Sequence, residues 1–109
     1  MKFTAQDLAR RAAARLAPQV GQPALPMRVE AILMGGDSKN EHFDAAVAIA
    51  FASFLVSAAT LAWKIWQDTR PPKLEVVRTV RVELILPERI TDAQRDQIIE
   101  GVVAELPES

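Results

Sequence analysis

The sequence predicts an α+β small membrane protein, in which one long hydrophobic transmembrane helix joins a helix–strand N-terminal segment to a strand–helix C-terminal module. Three observations lead there. From Ala45 to Trp63 no residue carries a formal charge, and long uncharged runs are the mark of membrane spans. On either side, Met27–Met34 and Leu74–Leu86 alternate at the period of a strand. The outer stretches place apolar residues at helical spacing. The expected divisions are residues 1–44, 45–66 and 67–109.

The first helix is expected over Ala5 to Leu16, with the Thr4 hydroxyl accepting from a first-turn N–H. Leu8, Ala9, Ala12, Ala13 and Leu16 fall on one face, and Arg10, Arg11 and Arg15 lie away from it. An apolar face made mostly of alanine suits packing better than a lipid surface. Pro18 is expected to end this helix, and Gln19 to Pro26 reads as a linker. In the strand at Met27–Met34, Met27, Val29, Ala31 and Leu33 share one side. Gly35-Gly36-Asp37-Ser38 is a turn signal, followed by the polar stretch Lys39 to Asp44.

The central helix, Ala45 to Ile65, spans roughly 31 Å at about 1.5 Å per residue, close to the thickness of a bilayer core. Its aliphatic and phenyl side chains favour insertion by about 2–5 kcal/mol in total. Trp63, Lys64 and Trp66 at its end have the character of membrane-interface anchors, the lysine snorkelling into the headgroups. Ala46, Ala50, Ser53, Ser57 and Thr60 recur at 4-3-4-3 spacing. Such a stripe of small residues lets two membrane helices approach closely, so these five are the expected helix–helix interface. Val47, Phe51, Phe54, Leu61 and Ile65 form a bulkier adjoining stripe.

Pro71-Pro72 breaks the chain before the second strand, Leu74 to Leu86, and Pro87 stops it. Thr91 and Gln94 have the spacing of a capping box for a last helix, whose apolar stripe is Ile98, Ile99, Val102, Val103 and Leu106. This C-terminal module is the expected partner-binding element, through Val80, Val82, Leu84, Ile98 and Val102, by addition of a strand to an exposed sheet edge. Arg70, Lys73, Arg78 and Arg81, together with Lys64, follow the span closely and place the module on the cytoplasmic side. A single crossing sets the two strands on opposite sides of the bilayer, where they cannot pair. Their backbone groups then call for a homo-oligomer or a protein partner.

The chemistry is sparse. Thirteen Lys/Arg against fourteen Asp/Glu leave a formal net charge of -1, with no basic excess for nucleic acid. There is no cysteine, which excludes disulfides, thiol catalysis and zinc–thiolate sites. The N-terminus lacks the apolar core of a secretory signal. Gly35-Gly36-Asp37-Ser38-Lys39 departs from the phosphate-loop pattern, because Ser precedes the lysine and Asn follows it. His42 with Glu41 and Asp44 has too few nitrogen or sulfur ligands for a transition metal. Asp92 and Asp96 fall on the outer face of the last helix, and no nucleophile–base set assembles.

The expectation is therefore a non-enzymatic, single-pass membrane accessory or adaptor protein, with no cofactor, metal or evident small-molecule substrate. Two alternatives are a small membrane-perturbing, toxin-like effector and a soluble dimerising interaction domain with a buried central helix.

Overall fold

Thr4 and Asp7 open the first helix as a reciprocal pair. The Asp7 N–H donates to Thr4 Oγ1 (3.2 Å) and the Thr4 N–H donates to Asp7 Oδ2 (2.9 Å), so two otherwise unpaired donors are satisfied. The helices are α1 (Ala5–Gln19), α2 (Leu25–Leu33), α3 (Ala45–Thr69), α4 (Lys73–Glu83) and α5 (Asp92–Ala104). The structure, a computed structural model, describes residues 3–35 and 45–107, and side chains of the central helix from Ala48 onward.

Among the described residues there is no strand, so the α+β expectation is corrected to an all-helical bundle. Both predicted strands are helical over most of their length, through Leu33 in α2 and Glu83 in α4. In α2, Leu25 and Val29 are buried, with Ile32 and Leu33 partly buried behind them. That is a helical stripe, and it leaves Met27 71 % exposed on the side the strand reading had turned inward. Pro26 sits in the first turn of α2, where its missing N–H costs nothing. In α4, Val76 and Val80 are fully buried four residues apart, whereas Val82 is 83 % exposed. The valines that suggested a strand are tolerated because tertiary packing outweighs their modest helix penalty.

Glycine closes the first two helices. Gly21 at φ 66° follows α1, and the Gln22 N–H returns to the Ala17 carbonyl at 3.0 Å, the Schellman pattern. Pro18 is thus accommodated inside α1 rather than ending it. Gly35, expected in the turn that follows the first strand, instead follows α2 at φ 75°. The remainder of that turn signal, Gly36 to Ser38, and the polar stretch through Asp44, including His42, lie outside the described residues. Thr91 and Gln94 form the expected capping box on α5, at 3.0 and 3.1 Å.

α3 runs through the middle, and each of the other four helices packs on it. Phe51, Ala52, Leu55, Ala58, Ala59 and Ala62 are fully buried along it. Four of the six alanines of α1, Ala9, Ala12, Ala13 and Ala17, are buried as well, and two alanine faces allow helices to approach closely. α1 also packs against α5, where Gly101 receives the Leu16 side chain. At that crossing Arg15 Nε donates to Glu105 Oε2 at 2.6 Å. The whole has a radius of gyration of 13.3 Å, and its core holds no buried polar or charged residue among those described.

Candidate functional site

The outer face of α3 carries the small-residue stripe. Ala50 and Ser53 are half-buried, Ser57 and Thr60 are exposed, and the same 4-3 spacing continues through exposed Lys64 and Gln67. Thr60 Oγ1 is occupied within its own helix, donating to the Val56 carbonyl at 2.9 Å. The Ala46 side chain lies outside the description. Of the residues expected to bind a partner, Val80, Ile98 and Val102 are core residues, Leu84 is half-buried and Val82 is exposed. Strand addition through this segment is excluded by its helical backbone up to Glu83.

Trp63 and Trp66, one turn apart near the end of α3, meet a residue from the start of the chain. Their rings stack with centroids 5.3 Å apart and planes 29° from parallel. Phe3 tilts against Trp63, also at 5.3 Å. The row is closed at each end by a guanidinium: Arg70 lies 4.0 Å from the Trp66 ring centroid and Arg11 lies 4.9 Å from that of Phe3. Both distances are within cation–π range. Trp66 is buried and Trp63 half-buried, while Lys64 stays exposed beside them.

These rings wall an open cavity of about 350 Å³, a size at the low end for small-molecule pockets. Phe3 and Thr4 border it from the start of the chain, Trp63, Trp66, Gln67 and Arg70 from α3, and Pro107 from beyond α5. The Thr4 hydroxyl is committed to the α1 cap. Gln67 and Arg70 therefore supply the polar chemistry, and among the described residues no carboxylate lines the cavity.

The arginines divide by environment. Arg10 grips Glu30 with two hydrogen bonds, at 2.8 and 3.0 Å. This bidentate contact holds the Glu30 carboxyl below the usual carboxylate range and raises the Arg10 pKa. Arg15 pairs with Glu105, Arg81 with Asp96, and Arg95 with Asp92 and Asp96. Arg11 and Arg70 lie on aromatic rings, with no carboxylate within pairing distance among the described residues.

Arg70 is also the only described residue other than glycine with a positive φ, at 49°. Its N–H caps α3 through the Trp66 carbonyl at 2.9 Å, a left-handed closing position where glycine is favoured. Keeping a side chain there costs roughly 1–2 kcal/mol.

The sequence singled out Trp63 and Trp66 by their amphipathic rings and Arg70 only as a charge following the span, but it gave no sign of Phe3 or Pro107, which only the bundle brings to them. Among the described residues no three His, Cys, Asp or Glu side chains gather as a metal-binding group. Comparison with protein-family models, curated proteins and solved structures finds no match to the chain.

Proposed function

We propose that this chain is a non-catalytic binding module, an all-helical bundle whose long apolar helix serves as its core. One observation carries the reading. α1 and α5 pack on each other beside α3, with Arg15 and Glu105 at 2.6 Å and Leu16 set against Gly101. A membrane-spanning α3 sends these two helices to opposite sides of the bilayer and forbids that contact. The distribution along α3 agrees, since Phe51, Phe54 and Leu55 face the bundle while Ser57, Thr60, Lys64 and Gln67 face outward. Lipid on that outer face meets hydroxyls, an amide and an ammonium group, which hydrocarbon solvates poorly. Binding in this reading uses the exposed end of the bundle, where the aromatic cavity opens.

The single-pass accessory reading keeps one observation in its favour: Ala48–Thr69 is long and apolar enough to cross a membrane by length and composition. The core helix of a bundle passes the same test, so the two readings separate by extraction. Membranes from cells expressing the full chain are washed with alkaline carbonate. Release of a monodisperse helical species without detergent supports the binding module; retention in the pellet until detergent is added supports the membrane protein.

A further inference from the structure

The geometry points to the cavity at the Trp63–Trp66 end as a binding site for a small carboxylate with a planar, apolar body, such as an arylacetate. The inference rests on the bundle reading above, because Phe3, Pro107 and α3 meet only when the bundle is closed. Three independent features agree on this ligand class. The walls include the aromatic side chains Phe3, Trp63 and Trp66, which favour a flat apolar group through edge-to-face or offset contact. The cation at the rim, Arg70, sits 4.0 Å from the Trp66 ring centroid and has no ion-pair partner among the described residues, so its N–H groups can meet a carboxylate, the anion whose geometry a guanidinium matches. Among the described residues no acidic side chain lines the cavity to compete for that cation or repel an anion.

The backbone adds a fourth feature. A left-handed closing residue serves the helix best as glycine, yet an arginine stands there at φ 49° and carries its charge over the cavity wall. Retained strain of this kind at a cavity rim is an observation from which a binding role can be inferred. The volume of about 350 Å³ suits a ring with a short acid arm rather than a folded partner.

The test uses the full chain and its two indole N–H signals. The protein has two tryptophans and no tyrosine, so both its indole NMR signals and its tryptophan emission report on this cavity alone. Phenylacetate is titrated, with phenylacetamide as the neutral match and acetate as the anion without a ring. The expected result is a saturable shift of both indole signals with phenylacetate at a Kd of about 1 mM or tighter. Phenylacetamide binds about tenfold more weakly, and acetate produces no saturable shift.

Arg70→Gly relieves the backbone while removing the guanidinium, and it should lower phenylacetate affinity about tenfold or more without lowering Tm. Arg70→Gln, which keeps a side chain, gives the same affinity loss and stands in if the glycine variant misfolds. Equal binding of phenylacetate and phenylacetamide, or no saturable shift up to about 20 mM, overturns the assignment. A chain that needs detergent to stay dispersed signals failure of the bundle reading instead, and that outcome is visible before any ligand is added.

Discussion

The contact between Leu16 and Gly101 offers the sharpest check on the packing. A Cβ added to Gly101 lies 2.8 Å from Leu16 Cδ2, 2.9 Å from Cγ and 3.0 Å from Cδ1. The clash involves the branch point as well as the ends, so rotation alone does not clear it. Gly101→Ala therefore sets about 1–3 kcal/mol of overpacking against about 1 kcal/mol of helix propensity gained, a net loss of roughly 0–2 kcal/mol. Leu16 is fully buried, and Leu16→Ala should cost about 2–5 kcal/mol through lost transfer energy and a residual cavity. In the double variant the new methyl occupies space vacated by the leucine. The overpacking disappears, part of the cavity is filled, and the propensity gain is expressed. The double variant should thus be more stable than the sum of the singles by about 2 kcal/mol. Urea unfolding, followed by tryptophan emission and by far-ultraviolet circular dichroism, gives all three values. Additivity within about 0.5 kcal/mol would falsify the α1–α5 contact, and with it the principal support for the bundle.

Phe51→Ala removes the largest fully buried side chain and should destabilise the isolated protein by about 3–5 kcal/mol, read from the urea midpoint. Thr91→Ala, which deletes half of the α5 capping box, should cost about 1 kcal/mol in the same assay. Glu30→Gln addresses the acid limb of stability. The folded-state pKa of Glu30 is depressed by Arg10, so its contribution is present above the unfolded-state value and lost as pH falls through the folded one. A plot of Tm against pH should be flatter below neutrality for the variant. Both partners are solvent-exposed, so the difference should shrink in high salt.

Residues that carry local signals were legible in the sequence. Thr4 before an apolar-periodic stretch, and Thr91 with Gln94, mark helix starts through side chains that bond within three residues, and no tertiary information is needed to recognise them. Met27–Met34 and Leu74–Leu86 were misread for a definite reason. A period of two and a period near four both place apolar residues at i and i+4, so Val76 and Val80 satisfy either pattern. Only the exposure of Val82 and Met27, which depends on neighbours far along the chain, separates the two. The 4-3-4-3 stripe did mark one face of α3, but spacing gives a direction without naming the medium that fills it. The cavity was out of reach because its walls come from residues 3, 63, 66, 70 and 107, and no short-range pattern links them.

The late arrival of α5 has a consequence for synthesis. α3 emerges from the ribosome before α4 and α5 exist, and at about 5–20 residues per second it waits several seconds for that cover. During this interval the uncovered helix, long and apolar enough to cross a membrane by length and composition, has only α1 and α2 to pack against. If insertion competes with folding, the outcome depends in part on how quickly α1 and α2 shield Phe51 and Leu55. Slowing translation beyond Thr69 should divert more of the chain toward membranes, and speeding it should favour the closed bundle.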